Sequence, residues 1–195
     1  MPTLTRRRPI SRLNPVEVSD AIAGFYGQSQ LSLALDDFVR YVGGDNGLWA
    51  LAGGLAVGFY GQPRATQDVD IILWSENTIE LVAELTTRCF RRKRKHALLH
   101  IKTGVEIELL TAKHLGVPLV VIQTAITTAR HLDYHNHLLP VVSAAGLVAL
   151  KLQRGSLQDL ADIKRVLEKV HNLDLRDFGL SAEHKRLLAE IREIP

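Results

Sequence analysis

Two spacings of apolar residues alternate along this chain. Between Pro15 and Val42 they recur every three or four positions, which predicts two helices with a break near Gly27 and Gln28. Further on, short apolar runs rich in β-branched residues alternate with amphipathic stretches. The runs predict strands, and the stretches predict helices, at the following positions: strands at 48–52, 68–74, 97–102, 104–110, 118–122 and 138–142, and helices at 53–60, 77–89, 143–153, 156–170 and from about Ser181. This mixture predicts an α/β or α+β domain whose C-terminal third is largely helical.

The length and composition fit a single globular domain, because the chain has 195 residues and 46% of them are hydrophobic. Residues 1–15 contain Arg6-Arg7-Arg8 and several prolines, so we expect a flexible basic arm there. We expect the core at 16–142 and a helical region packed on that core at 143–195.

The expected cellular setting follows from features that the sequence lacks. No uncharged apolar run approaches the roughly 18–20 residues that cross a bilayer, and the first 15 residues lack the apolar segment of a secretion signal. Cys89 is the only cysteine, so it has no intramolecular partner for a disulfide. We therefore expect a cytoplasmic protein that does not bind membranes. The net charge of +3 leaves an anionic partner open.

Two acids in one predicted strand are the first candidates for chemistry. Asp68 and Asp70 are two positions apart, which places both side chains on one face, roughly 7 Å from each other along the strand. Two like charges at this spacing must be solvated, protonated or neutralised. One interpretation is a Mg²⁺ site, since carboxylates and substrate phosphates are the usual ligands of this ion. The alternative is one exposed acid and one acid paired with a base such as Arg64.

The neighbouring elements favour the metal. Gly53 and Gly54 lie at a predicted strand-to-helix turn, where backbone N–H groups can approach a phosphate, although an isolated glycine pair is more often a tight turn. In the later strand, Glu106 and Glu108 alternate with apolar residues and therefore share a face. A third carboxylate can thus join the pair. Three acids around two cations suit nucleotidyl transfer from a nucleoside triphosphate to a hydroxyl.

These motifs resemble the nucleotidyltransferase (DNA polymerase β-like) superfamily, and in particular its branch of AbiEii-type and MenT-type toxins. The resemblance covers about residues 48–167 and rests on three motifs: Leu51-Ala52-Gly53-Gly54-Leu55-Ala56, Arg64-x-Thr66-x-Asp68-Val69-Asp70, and Lys151-Leu152-x-Arg154 with Gln158-Asp159-x-x-Asp162. It implies the nucleotidyltransferase fold, a small mixed sheet flanked by helices with a helical C-terminal part.

The resemblance also implies a role for each matched position. Nucleotide binding is assigned to Gly53, Gly54, Arg64, Thr66, Lys151 and Asp159, and Mg²⁺ binding and catalysis are assigned to Asp68, Asp70 and Glu108. The family usually has Asp at the third acid, and Glu106 points the same way as Glu108. The general base is therefore open between these two residues.

Two of these positions have structural alternatives. Lys151 lies in an apolar helix, so it is either a phosphate ligand or a surface lysine whose ammonium reaches solvent. Ser156 and Asp159 have the spacing of a helix cap, so Asp159 either completes the site or stabilises a helix start.

A basic segment separates the strand of the acid pair from the strand of the third acid. It comprises Arg91, Arg92, Lys93, Arg94 and Lys95. Repulsion among these charges favours an exposed, solvated segment. Its position equally favours contact with a polyanionic acceptor such as RNA.

Together these observations predict a Mg²⁺-dependent enzyme that transfers a nucleoside monophosphate to an acceptor hydroxyl and releases pyrophosphate. The toxin resemblance implies tRNA or another RNA as the acceptor and a cognate antitoxin as a protein partner. The alternative is a degenerate nucleotidyltransferase fold that binds RNA or a protein without catalysis, which the Glu at position 108 and the basic segment motivate.

Overall fold

A seven-stranded mixed sheet forms the centre of the protein. The structure is a computed structural model, and it describes residues 29–44, 46–60 and 65–193. The strands are β1 (Trp49–Leu51), β2 (Asp68–Leu73), β3 (Phe90–Arg94), β4 (Ala97–His100), β5 (Glu106–Leu110), β6 (Arg130–Tyr134) and β7 (His137–Val141). Their order across the sheet is β3-β4-β5-β2-β1-β7-β6.

Helices connect these strands and follow them. They are α1 (Gln30–Val42), α2 (Gly53–Tyr60), α3 (Asn77–Leu85), α4 (Ala112–Leu115), α5 (Leu119–Thr127), α6 (Ala144–Arg154), α7 (Leu157–Leu167) and α8 (Ala182–Glu193), with a 3₁₀ turn at Arg176–Phe178. The predicted basic arm and the predicted helix before residue 29 lie outside the described residues. The expected α/β class, with helices around a mixed sheet and a helical C-terminal part, is confirmed.

The middle of the sheet brings distant parts of the chain together. Strand β2 pairs with β1 in antiparallel and with β5 in parallel orientation, and β1 pairs in parallel with β7. The two ends of the sheet are the hairpins β3–β4 and β6–β7. Because β2 and β5 are parallel, the acids of both strands meet on one face.

The core explains why this sheet is stable. Ile71, Ile72 and Leu73 of β2 are completely buried, as near-continuous apolar runs are in central strands. Phe38 of α1 packs edge-on against Trp49, with ring centroids 5.0 Å apart. Helix α6 is buried along most of its length and contacts α2 and α5. The acid-bearing strand thus rests on a rigid centre.

One predicted strand is wrong. The run at 118–122 forms the start of helix α5, with Pro118 at its N-cap. Its buried residues are Val121, Ile122, Ala125 and Ile126, whereas Leu119 and Val120 are exposed, so the apolar pattern has a helical period once the next turn is included. A five-residue apolar run is too short to distinguish a strand from a buried helix.

The basic segment is also more ordered than expected. Residues 91–94 belong to edge strand β3, and the helix predicted over 77–89 ends at Leu85 to make room for it. The arginine and lysine side chains are exposed, as expected, and charged residues are common on edge strands because they prevent pairing with other chains. Strand β6 was not predicted at all.

Within residues 29–44, 46–60 and 65–193, none of the helices combines the length and the apolar character that crossing a lipid bilayer requires.

Candidate active site

Asp68 and Asp70 lie on the same face of β2, and Glu106 and Glu108 lie beside them on β5. The register pairs Asp68 with Glu106 and Asp70 with Glu108. On both strands these acids alternate with fully buried residues such as Val69 and Ile107. The sequence therefore predicted the shared face of these acids correctly.

The turn before α2 is shaped around Asp70. Gly53, the first residue of that helix, has a φ of +59°, and a Cβ atom at this position would overlap the Asp70 carboxylate. The backbone N–H of Ala52 donates to the Asp70 carbonyl at 2.8 Å, which fixes the two segments together. The first N–H groups of a helix have no intrahelical partner, so this turn offers donors to an anion beside the acids. A glycine is thus required at position 53, both for the positive φ and to leave room for the Asp70 carboxylate.

Asp70 is strained electrostatically. Burial, together with the charges of Asp68 and Glu108, raises its pKa from an ordinary 3.8 to about 6, although Lys151 and Arg154 act in the opposite direction. The ionised form of a buried acid beside two other acids is destabilised. A bound cation would therefore stabilise it. A raised pKa of this origin makes Asp70 a candidate for a functional site.

The loop before β2 orients the first acid. The Thr66 hydroxyl donates to Asp68 Oδ1 at 2.8 Å, so Thr66 fixes this carboxylate. Arg64, the other candidate in this loop, lies outside the described residues.

Lys151 is buried at the end of α6, so the alternative of an exposed lysine is wrong. Its ammonium donates to Asp159 at 3.0 Å and to Asp162 at 2.8 Å, and both carboxylates are almost completely buried. Asp159 also accepts a hydrogen bond from the Ser156 hydroxyl at 2.7 Å, and that hydroxyl accepts from the Asp159 N–H at 3.1 Å. Ser156 therefore caps α7, and Asp159 holds the capping hydroxyl and at the same time orients Lys151.

The third acid has a cationic partner. Arg94 of β3 lies 2.6 Å from Glu108 and also contacts Glu106, which Lys93 approaches to 2.6 Å. The bond from Lys93 and the charge of Arg94 lower the pKa of Glu106. Glu106 thus forms ion pairs with two residues of β3. Glu108 forms an ion pair with Arg94 and also acts electrostatically on Asp70.

The other basic side chains of this segment are partly paired as well. Arg92 lies 2.9 Å from Glu80, and Lys95 lies 3.5 Å from Glu76. Among the described residues, no carboxylate forms an ion pair with Arg91. The exposed strand therefore carries less free positive charge than its sequence suggests.

Six of the predicted residues line one cleft of about 520 Å³, whereas Gly54, Thr66 and the basic residues 91–95 do not line it. Its lining combines predicted and unpredicted residues: Gly53, Asp68, Asp70, Glu108, Lys151 and Asp159 were predicted, whereas Leu110, His114, Leu115, Arg154, Ser156 and Gln158 were not assigned to the site. Arg154 follows Lys151 by three positions on the same helix and belongs to the motif Lys151-Leu152-x-Arg154, so both its spacing and its motif could have identified it. His114 had no signal, because its place in the cleft depends on the fold.

The residues of the cleft fit a Mg²⁺ ion that is held by two carboxylates and completed by substrate phosphates and water. They do not form a metal site from protein ligands alone. Among the described residues, no three His, Cys, Asp or Glu side chains converge to hold a metal ion by themselves. Mg²⁺ is usually held by one or two carboxylates, with substrate phosphates and waters completing its shell. Asp68 and Asp70, with a glycine turn and cationic side chains for phosphates beside them, match this requirement.

A second cleft, of about 710 Å³, lies near the C-terminal helix and is lined by residues that include His171, Arg176, Lys185 and Arg192. It contains none of the candidate catalytic residues.

Comparison with known proteins is informative at the level of the fold. No protein-family model matches the chain, and no curated protein does. A nucleotidyltransferase-like antigenic protein from Paracoccidioides brasiliensis superimposes with a TM-score of 0.51 at 20% sequence identity, covering 73% of this chain and 78% of that chain. The fold is nucleotidyltransferase-like. MenT4, a nucleotidyltransferase toxin from Mycobacterium tuberculosis H37Rv, matches over 93% of this chain and 97% of its own at 12% identity and a TM-score of 0.41.

Proposed function

We propose that this protein is a Mg²⁺-dependent nucleotidyltransferase that transfers a nucleoside monophosphate from a nucleoside triphosphate to an acceptor hydroxyl. The observation that carries the proposal is the unbalanced acid pair: Asp70 is packed against Gly53 at a helix start, and burial together with two other carboxylates raises its pKa. The nucleotidyltransferase-like fold supports the same chemistry.

In the proposed reaction, the acceptor oxygen forms a bond to the α-phosphorus as the bond to the bridging oxygen breaks. Pyrophosphate leaves with the electron pair of that bond. Asp68 and Asp70 would hold Mg²⁺, which when bound neutralises charge on the triphosphate. The turn at Gly53 would present backbone N–H groups to phosphate oxygens, as the resemblance implies for Gly53 and Gly54, and Arg154 and the oriented Lys151 would supply positive charge. Glu108 takes the hydroxyl proton once Arg94 moves aside.

We propose RNA, with tRNA as the leading case, for the acceptor. The support is the exposed basic strand β3, whose Arg94 already touches the third acid. An RNA phosphate close to the reactive hydroxyl would compete for Arg94 and free Glu108. From the resemblance of its motifs to AbiEii-type and MenT-type toxins we also propose a toxin role with a neutralising antitoxin, which arrest of growth on expression would support.

A second candidate function is a non-catalytic RNA-binding module in the cytoplasm. One observation favours it: Glu108 stands where the family usually has Asp, and Arg94 holds it at 2.6 Å. Under this alternative, RNA binding depends steeply on salt, and replacing Arg91, Arg92, Arg94 and Lys95 by Ala flattens the dependence. Nucleotide transfer would then be absent.

The decisive experiment incubates each of four α-labelled nucleoside triphosphates with total RNA and Mg²⁺. We expect the label in RNA with the wild type and none with the Asp68→Asn/Asp70→Asn variant. The matched control is Asp133→Asn/Asp177→Asn, which removes two exposed carboxylates elsewhere and should retain transfer. Equal labelling by the wild type and the Asp68→Asn/Asp70→Asn variant would contradict the proposed catalytic site.

A further inference from the structure

An imidazole ring lines the cleft that holds the acids, and a second one packs against it. His114 of α4 is exposed and lines the cleft, and its ring contacts the tilted ring of His96 with centroids 4.4 Å apart and an interplanar angle of 30°. Leu110 and Leu115 line the cleft beside it. This is a flat aromatic surface with apolar neighbours in a site that is otherwise strongly charged.

The local structure holds His114 in place. Its backbone N–H donates to the Thr111 hydroxyl at 3.2 Å, and that hydroxyl donates in turn to Glu76. The short helix is therefore fixed at its start by a side-chain cap.

The inner ring is fixed as well. The carbonyl of His96 accepts the Leu109 N–H at 2.9 Å, so its backbone is tied to β5. Its Nδ1 is buried without a hydrogen-bond partner among the described residues. A buried ring nitrogen that forms no bond is consistent with a ring positioned for stacking rather than for polar contact. His96 thus supports His114 from behind.

The lining contains three kinds of charged or aromatic side chain. The carboxylates come from β2, β5 and α7, the cationic side chains Lys151 and Arg154 come from the end of α6, and the imidazole of His114 comes from α4. In the proposed function, the carboxylates bind the metal and the cationic side chains bind the phosphates. Neither of them explains an exposed aromatic ring with leucine neighbours, whereas a nucleobase does, since it presents a flat π-face and carries no charge.

We propose that the nucleobase of the bound triphosphate stacks on His114, with His96 as the supporting ring. This inference rests on the proposed nucleotidyltransferase function and extends it to the binding mode of the base. Stacking tolerates any base, because every base has a π-face. His114 therefore contributes affinity for nucleotides as a class and does not distinguish them by hydrogen bonds.

The test compares two ligands that differ by the nucleoside. ATP and inorganic tripolyphosphate are titrated calorimetrically, with Mg²⁺, into the wild type, His114→Ala and His114→Phe. We expect His114→Ala to weaken ATP binding about tenfold, as loss of one base–aromatic contact does, and to leave tripolyphosphate unchanged. His114→Phe should restore ATP binding to within about threefold, because it retains an aromatic face.

The neighbouring variant Lys113→Ala is the control for damage to α4, since Lys113 is exposed on the same helix and does not line the cleft. It should bind ATP like the wild type. Unchanged ATP binding by His114→Ala would overturn the inference and leave the proposed function intact. Equal weakening of ATP and tripolyphosphate would overturn it by assigning His114 to the phosphates. If the wild type binds neither ligand, the proposed function fails together with the inference.

Discussion

Two groups of carboxylates in and behind the cleft differ in how their charge is balanced. Asp159 and Asp162 are almost completely buried, and Lys151 lies within 3.0 Å of both. Asp68 and Asp70 share a strand face with no such cation inserted between them in the described residues, and the pKa of Asp70 is raised to about 6. The first group is already complete, whereas the second gains stability only when a cation binds.

We propose that this difference separates structural acids from functional ones. A buried ion pair that is fully hydrogen-bonded holds its members in one geometry, and here it orients Lys151 and holds Ser156, the N-cap of α7. An unbalanced acid pair lowers the stability of the folded protein. Such a pair is retained where it has a function. The two groups should therefore respond in opposite directions to removal of charge.

The largest effect is expected from breaking the balanced group. Lys151→Met would leave Asp159 and Asp162 buried without their shared ammonium, although Arg165 remains 2.9 Å from Asp162. We expect a loss of about 3–5 kcal/mol in the free energy of unfolding, measured by urea denaturation. Lys169→Met, which removes an exposed lysine just beyond α7, is the control and should change stability by less than about 0.5 kcal/mol. A loss below about 1 kcal/mol for Lys151→Met would mean that the buried cluster is not held by this lysine.

The next effect concerns the turn that shapes the unbalanced group. Gly53→Ala introduces a Cβ that overlaps the Asp70 carboxylate, in addition to the strain of a positive φ. Gly104→Ala has the same kind of strain, at φ +74°, with no atom near the new Cβ. Both variants should lose about 1–2 kcal/mol in urea denaturation through the backbone, but only Gly53→Ala should abolish Mg²⁺-dependent nucleotide binding in calorimetry. Normal binding by Gly53→Ala would show that the approach of Gly53 to Asp70 is not needed.

Relieving the unbalanced group should stabilise the metal-free protein. Folding raises the pKa of Asp70 from 3.8 to about 6. Between about pH 4 and pH 6, Asp70 is therefore ionised in the unfolded chain but still protonated in the folded one. Because the unfolded state binds fewer protons, the wild type loses stability as the pH rises through this range. Asp70→Asn should therefore be more stable by about 1–3 kcal/mol above pH 6 and show no advantage below about pH 4.

The check is a series of urea denaturations between pH 3.5 and 7.5 in a chelating buffer. Glu84→Gln, at an exposed acid of α3, is the control and should follow the wild type at each pH. If Asp70→Asn is destabilised at pH 7, Asp70 is not the strained acid that its surroundings indicate.

The smallest effect on stability is expected at the link between β3 and the third acid. Arg94→Ala removes ion pairs to Glu106 and Glu108, but the arginine is exposed, so the loss in urea denaturation should stay below about 1 kcal/mol. Its effect on Mg²⁺ should be larger, because Glu108 is then free to join Asp70. We expect the Mg²⁺ affinity in calorimetry to rise at least threefold over that of Arg91→Ala, which removes the same charge from the same strand. Equal affinities in the two variants would show that Arg94 acts only through overall charge.

The sequence was most informative where a short-range pattern determines geometry. Alternation in a strand places Asp68 beside Asp70 and Glu106 beside Glu108, and the fold only had to bring β2 and β5 together in parallel. The same reasoning identified Gly53, although its overlap with Asp70 depends on a contact between segments that no local pattern reveals.

The sequence was least informative where burial determines the role of a residue. Lys151 lies in an apolar helix in either interpretation, and only the packing of α7 against α6 shows that its ammonium is enclosed by two carboxylates. His114 lies in the site because helix α4 follows directly after strand β5. Nothing in the residues around His114 indicates this position. The strand predicted at 118–122 is wrong for a related reason, since the helical period becomes visible only when residues 125 and 126 are included.

The central claim is that Asp68 and Asp70 form a cation site for a nucleoside triphosphate. The most direct test is calorimetric titration of ATP, GTP, CTP and UTP into the wild type and into Asp68→Asn/Asp70→Asn, each with Mg²⁺ and with a chelator. We predict that the wild type binds at least one triphosphate only when Mg²⁺ is present and that the variant loses the effect of Mg²⁺. Binding of equal strength with and without Mg²⁺, or a Mg²⁺ effect that persists in the variant, would contradict the claim.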